Sequence, residues 1–179
     1  MFKIMGVDPG TNYCGTALFT IDKDFKITSI ECFLVDLTTP KYKVLENNLF
    51  YRLNRLYSIF IYLFSNNDVL WLASEAGFIN RFRPAAYGPI VNSIYTIKKA
   101  YKDATGLDHI TEYPPSIVKK VITSHGGADK GDMFVGVSGI KEISKFLTGN
   151  ESEHEIDAMG MAYTCYLEIK NKPEMLLSL

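Results

Sequence analysis

Four side chains suited to a hard divalent cation lie far apart in this sequence, each where the local pattern changes. Asp8 closes the apolar run Met5-Gly6-Val7 and precedes Pro9-Gly10-Thr11. Glu75 closes Leu72-Ala73-Ser74. His154 and Asp157 fall in Glu153-His154-Glu155-Ile156-Asp157-Ala158, three residues apart and so on one face if that stretch is helical. Three carboxylates and one imidazole, with no cysteine pair, make an oxygen-rich donor set that suits Mg²⁺ or Mn²⁺ better than zinc. Two strand ends and a helix converging on such a cation point to phosphodiester chemistry.

Each group also has an ordinary structural account. Asp8 in Asp-Pro-Gly-Thr can serve a turn by bonding its own backbone. Glu75, at the end of an apolar run, is costly to bury unpaired, unless it reaches solvent or an arginine such as Arg81 or Arg83. Glu153 and Glu155 are favourable near any helix N-terminus. The four groups together are more specific than any one of them. A second set suits a polyanion: Lys119 and Lys120, Lys130 after a glycine loop, and Arg81-Phe82-Arg83. Lysines in such places hold phosphates without reading sequence. Phe78, three residues beyond Glu75, can stack on or wedge between bases, or serve as a core phenylalanine.

The elements that must position these residues are legible in outline. Phe2 to Val7, Gly15 to Ile21 and Lys26 to Leu34 read as three antiparallel strands, parted by the loop after Val7 and by Asp22-Lys23-Asp24. Within Val44 to Phe64, Leu49, Leu53, Leu56, Phe60 and Leu63 recur at helical spacing. Val69 to Ser74 is a near-continuous apolar run, as in a strand buried on both faces. Ala85 to Ala104 predicts a helix with Ile90, Ile94, Ile97 and Tyr101 on one stripe, ending near Gly106, and Asp108 to Tyr113 a fifth strand. Pro114-Pro115 opens a helix through His125. Another runs from Asp132 or Met133 to Phe146, and the last from Glu153 through Tyr166. The order β-β-β-α-β-α-β-α-α-α predicts an α/β architecture: a mixed five-stranded sheet, three antiparallel strands and then parallel ones, flanked by helices. No internal repeat or linker interrupts it, so residues 1–179 are expected to form a single domain.

A chain of 179 residues with 47% hydrophobic content is long enough for one well-buried core. Its most apolar stretch, Leu56 to Phe64, is too short to span a bilayer, and the N-terminus does not read as a signal peptide. Cys14, Cys32 and Cys165 are odd in number and widely spaced, which predicts a reduced, cytoplasmic setting. A net charge of −1 argues against nucleic-acid binding. Its distribution is less discouraging: Arg81 to Lys145 holds ten Lys/Arg against six Asp/Glu, and Glu151 to Asp157 then carries four carboxylates. A basic surface beside an acidic pocket is what a metal-dependent nuclease needs.

Five motifs in order carry a family resemblance: Gly6-Val7-Asp8-Pro9-Gly10-Thr11; Ser74-Glu75-Ala76-Gly77-Phe78; Glu112-Tyr113-Pro114-Pro115-Ser116-Ile117-Val118-Lys119-Lys120; Gly127-Ala128-Asp129-Lys130-Gly131-Asp132; and His154-Glu155-Ile156-Asp157-Ala158-Met159. Over about Ile4 to Tyr166 the chain resembles the RuvC family of Holliday-junction resolvases, within the ribonuclease H-like fold. The first and last motifs occur widely in that fold, whereas the middle ones, in this order and spacing, are more particular to RuvC-like enzymes. The resemblance implies that Asp8, Glu75, His154 and Asp157 form a metal-binding catalytic set for Mg²⁺ or Mn²⁺, with two ions expected per site. It implies that Lys119 and Lys130 are DNA-contacting or catalytic lysines, and that Phe78 probes the junction centre. His154 stands where many members have Asp, which leaves the choice of metal open. A homodimer that cuts two opposed strands of a four-way junction, leaving 5′-phosphate and 3′-hydroxyl ends, is implied too. The Ala85–Ala104 helix, with apolar Val91 and Tyr95 beyond its stripe, is the expected interface. Rival readings are a broader branched-DNA or flap endonuclease, a ribonuclease H, and a junction-binding protein without catalysis. The Arg81-Phe82-Arg83 loop departs from the cellular enzymes and is compatible with a bacteriophage-type member working in the host cytoplasm.

Overall fold

Side chains of β1 (Phe2–Asp8) alternate between two apolar layers, as the pleat of a strand requires. Ile4 enters one core while Met5 and Val7 enter the other. β2 (Tyr13–Ile21) repeats the pattern, with Ala17, Phe19 and Ile21 on the first side and Cys14 and Leu18 on the second. Strands buried on both faces need cover on both, and helices supply it. The computed structural model describes residues 1–38, 48–77, 85 and 87–176.

β3 (Ile27–Asp36), β4 (Val69–Glu75) and β5 (Ile110–Tyr113) complete a five-stranded sheet in the order β3-β2-β1-β4-β5. β1, β2 and β3 pair antiparallel, and β1-β4 and β4-β5 pair parallel. This is the mixed α/β sheet that the sequence predicts. α1 (Leu49–Asn67) and α2 (Tyr87–Thr105) cover one face. They drive Leu56, Phe60, Ile97 and Tyr101 into it without residual exposure, each burial contributing roughly 1.5–3 kcal/mol. The opposite face is covered by α3 (Pro115–Thr123), α4 (Lys130–Gly139), α5 (Lys141–Ser144) and α6 (Glu153–Asn171).

Several boundaries differ from expectation for local reasons. α1 continues past the apolar stretch that ends at Phe64: Asn66 and Asn67 bond back to the carbonyls of Tyr62 and Leu63, and Asp68 ends the helix in a left-handed conformation at φ 50°. The predicted helix from Asp132 or Met133 to Phe146 starts earlier and is broken in two. An Asp129/Asp132 capping box begins α4 at Lys130, and extended Ile140 separates α4 from α5. The last helix runs past Tyr166 to Asn171.

α6 lies almost directly on the backbone of β1 and β2. A Cβ on Gly6 would come within 2.1 Å of the Ala158 carbonyl oxygen, and one on Gly15 within 1.9 Å of that of His154. Isolated glycines in strands commonly mark such close approaches. Ala158 and Ala162, one turn apart, keep the facing helix surface small.

Candidate active site

Asp8 and Glu75 end neighbouring parallel strands, whose register pairs Val7 with Ser74 one residue earlier. Both point to the α6 side, since Asp8 follows Gly6 and Ile4 by steps of two and Glu75 follows Ala73 and Trp71. At the start of α6, the Ser152 hydroxyl accepts from the Glu155 N–H at 3.3 Å and the Glu155 carboxylate accepts from the Ser152 N–H at 2.8 Å. This reciprocal cap fixes where the helix begins. The glycine seam then sets His154 and Asp157 over the strand ends.

His154 Nδ1 lies 2.6 Å from Asp8 Oδ2. The Tyr13 ring stacks on the imidazole, centroids 6.0 Å apart and planes inclined by 26°. A cleft of about 430 Å³ opens here, walled by Asp8, the loop from Pro9 to Tyr13, Glu75 and His154. A smaller cleft of about 180 Å³ lies on the other side of Glu75 and takes in Lys119, Met133 and Asp157. Glu75 is therefore shared by two openings.

Burial, then the negative charges of Asp8 and Asp157 and a hydrogen bond to Asp8, push the Glu75 carboxyl up to about 8, against the pull of Lys119. Burial and then Asp8 raise Asp157 to about 6, opposed by Lys119, Lys130 and His154. The hydrogen bond to Asp8 is the main cause that raises His154. Acids crowded and desolvated in this way favour a nearby positive charge, and carboxylate-rich sets suit hard divalent cations. The donor chemistry fits Mg²⁺ or Mn²⁺. As they stand, no three His, Cys, Asp or Glu side chains among the described residues are grouped closely enough to ligate one ion, and Asp8 and His154 satisfy each other instead.

The lysines divide. Lys119, half-buried on α3, faces the acidic set, whereas Lys120 beside it is exposed. Lys130 opens α4 and pairs with Glu153. On α2, Lys98 pairs with Glu112, Lys99 with Asp103 and Lys102 with Asp108, so these three lysines face carboxylates of the same segment and the surplus rests on the other basic residues. Phe78, Arg81 and Arg83 lie outside the described residues. Cys14 and Cys165 are buried and free, and Cys32 is half-buried and free. Two site features escaped the sequence reading. Tyr13 gave one faint signal, an aromatic placed directly after the glycine turn, while Arg52 behind that loop gave none.

An acidic cluster at the ends of β1 and β4, covered by a helix that rests on the sheet, places the chain in the ribonuclease H-like class. No family model matches the chain. It is 30% identical over 149 residues to the crossover junction endodeoxyribonuclease RuvC of Campylobacter concisus, spanning 80% of this chain and 84% of the relative. The structure of Thermus thermophilus RuvC in complex with a Holliday junction substrate superimposes with a TM-score of 0.74 at 19% identity, over 96% of this chain and 97% of that one. A further T. thermophilus RuvC structure gives a TM-score of 0.72 at 20% identity, over 95% and 97%. The chain belongs to the RuvC family.

Proposed function

We propose that this chain, acting as a single nuclease domain over residues 1–179, is a metal-dependent crossover junction endodeoxyribonuclease. It binds four-way DNA junctions and hydrolyses one phosphodiester in each of two opposed strands, leaving 5′-phosphate and 3′-hydroxyl ends. The observation that carries this reading is the gathering of Asp8, Glu75, His154 and Asp157 at one end of the sheet. It is supported by the C. concisus relative, a crossover junction endodeoxyribonuclease, and by the junction held in the T. thermophilus complex.

Asp8, Glu75, His154 and Asp157 would hold Mg²⁺ or Mn²⁺, two ions per site. Divalent cations bound there supply acidification of the attacking water and charge compensation at the phosphate. Lys119, half-buried beside Glu75 and Asp157, offsets negative charge that grows on the phosphoryl oxygens, where a cation in a desolvated site is most effective. Lys120 and Lys130 meet flanking phosphates and fix the register of the strand. The loop from Pro9 to Tyr13 walls the cleft through which the strand enters. The setting is the cytoplasm, of the host for a phage-encoded chain. No helix among the described residues is long and apolar enough to cross a membrane.

The test is a synthetic four-way junction incubated with Mg²⁺ and, separately, with Mn²⁺, with the cuts mapped on every strand. Symmetric cuts on two opposed strands and an intact linear duplex are expected. Binding without cutting under either metal would reduce the protein to a junction binder, and equal cutting of forks, flaps and junctions would widen the substrate class.

The proposed enzyme is a homodimer, because two symmetric cuts call for two copies of one site. The α2 stripe packs within the protomer, which leaves the apolar positions beyond it for the proposed interface. Ile94, Ile97 and Tyr101 are buried within the protomer and Ile90 and Val91 are half-buried, so Ile94→Glu would damage the core. Left over on this face are Tyr95, 67% exposed, and Phe50 of α1, 71% exposed, which line one groove. Tyr95→Glu is expected to convert a dimer to a 20.2 kDa monomer in sedimentation equilibrium at micromolar concentration, with little change in melting temperature. A dimer that survives this substitution moves the interface elsewhere.

A further inference from the structure

Behind the wall of the larger cleft, α1 reaches across to the loop that follows Asp8. Arg52 Nη1 donates to the Thr11 carbonyl oxygen at 3.3 Å and also to Asn12 Oδ1. The Asn12 carbonyl oxygen in turn accepts from the Leu37 N–H at 2.8 Å, tying the same loop to the end of β3. Arg52 is half-buried, and its Nε is buried with no partner among the described residues. A guanidinium held in this way is costly to place and is turned inward, to the loop. The loop itself has little slack, since a Cβ on Gly10 would come within 1.9 Å of the Tyr13 carbonyl oxygen. Its two ends carry Asp8 and Tyr13, and Tyr13 is the ring stacked on His154.

We infer that Arg52 is a positioning residue: it clamps the Pro9–Tyr13 loop from behind, so that Asp8 and the Tyr13–His154 stack present one arrangement to the cleft. Arg52 acts through Thr11 and Asn12 and touches no substrate. The inference deepens the junction-endonuclease reading and rests on it for the kinetic part of the test. Planarity is the reason an arginine stands here, because its rigid donor fork holds a fixed direction toward both acceptors. A lysine would keep the charge but lose that fork.

The experiment compares Arg52→Ala, Arg52→Lys, Asn12→Ala and the Arg52→Ala/Asn12→Ala pair with the parent protein. Asn12 is exposed, so its variant keeps a folded comparison available should Arg52→Ala be destabilised. Amide hydrogen exchange at Leu37, which needs no substrate, is expected to quicken at least about tenfold in Arg52→Ala and Asn12→Ala as the loop opens locally. Cleavage at saturating junction is expected to fall about tenfold or more in both Arg52 variants, in keeping with the penalty for misplaced reacting groups. The salt dependence of junction affinity should stay as in the parent, and the double variant should be no slower than the slower single variant. Unchanged Leu37 exchange in both alanine variants overturns the clamp. A salt slope that drops by about one in Arg52→Ala, with the Arg52→Lys enzyme fully active, also overturns it and makes Arg52 a phosphate contact. If the parent protein cut no branched DNA, the nuclease reading would fail, and the exchange measurement would still decide the clamp.

Discussion

Asp8→Asn is expected to abolish junction cleavage, by about a thousandfold or more, while junction affinity stays within a few-fold of the parent. The size follows from what the carboxylate does. It sits between Glu75 on the neighbouring strand and His154 on α6, and its charge enters the balance of both. In the proposed centre it is a charged cation ligand, whose loss would forfeit several kcal/mol of stabilisation of the reacting phosphate, and each ~1.4 kcal/mol is tenfold in rate. Asn keeps the shape and one oxygen that can still meet His154 Nδ1, so α6 stays seated and the lysines stay where they were. Single-turnover cleavage and a gel-based affinity measurement, run on a variant with an unchanged circular dichroism spectrum, separate the two effects. A folded Asp8→Asn protein that cuts at the parent rate would remove the proposed centre altogether.

Glu75→Gln has the second largest expected effect, and on stability its direction is opposite. In the metal-free protein the Glu75 carboxyl holds its proton up to about 8, whereas an unfolded chain releases it near the ordinary 4.5. Between those values the native state binds more protons than the unfolded state, so stability declines as pH rises through this window and levels off above it. Asp157, raised to about 6 from 3.8, adds to the same slope. The acids titrate as a coupled set, so the slope belongs to the group. Gln mimics the protonated acid at every pH. At pH 8.5 in EDTA the variant is therefore expected to be more stable than the parent by on the order of 3 kcal/mol, a melting temperature roughly 5–10 °C higher for a chain of this size. At pH 4.5 the two should converge. Added Mg²⁺ should raise the parent and leave the variant nearly unmoved, and the variant should not cut. Parallel melting curves at both pH values would show that Glu75 is neither desolvated nor crowded by its neighbours.

The sequence disclosed features whose cause is local. A carboxylate that interrupts an apolar strand run is visible as a break in pattern, which is why Asp8 and Glu75 could be picked out. His154 and Asp157 follow from their helical spacing. Contacts between distant elements left no comparable trace. Nothing in the order of residues joins Arg52 to Asn12, 40 positions earlier, or assigns Lys98 of α2 to Glu112 of β5. The break at Ile140 was equally hidden, because Val137, Ile140 and Ile143 keep a helical rhythm across it and all three side with the same core. Periodicity records which face is apolar, and it does not record whether the backbone between two apolar positions stays helical.

The seam at Gly6 and Gly15 bears on how such a centre persists while the rest of the chain drifts. Where α6 touches the strands, main chain meets main chain, and the gap is set by the thickness of two backbones. The strand-borne and helix-borne groups are thus gauged against each other by parts that are chemically identical in every protein. Exchanges of core side chains elsewhere, each larger or smaller than the last, alter packing around this contact without changing its span. The absent side chains act as a fixed spacer, and the one sequence change that this contact does not tolerate is the addition of a methyl group.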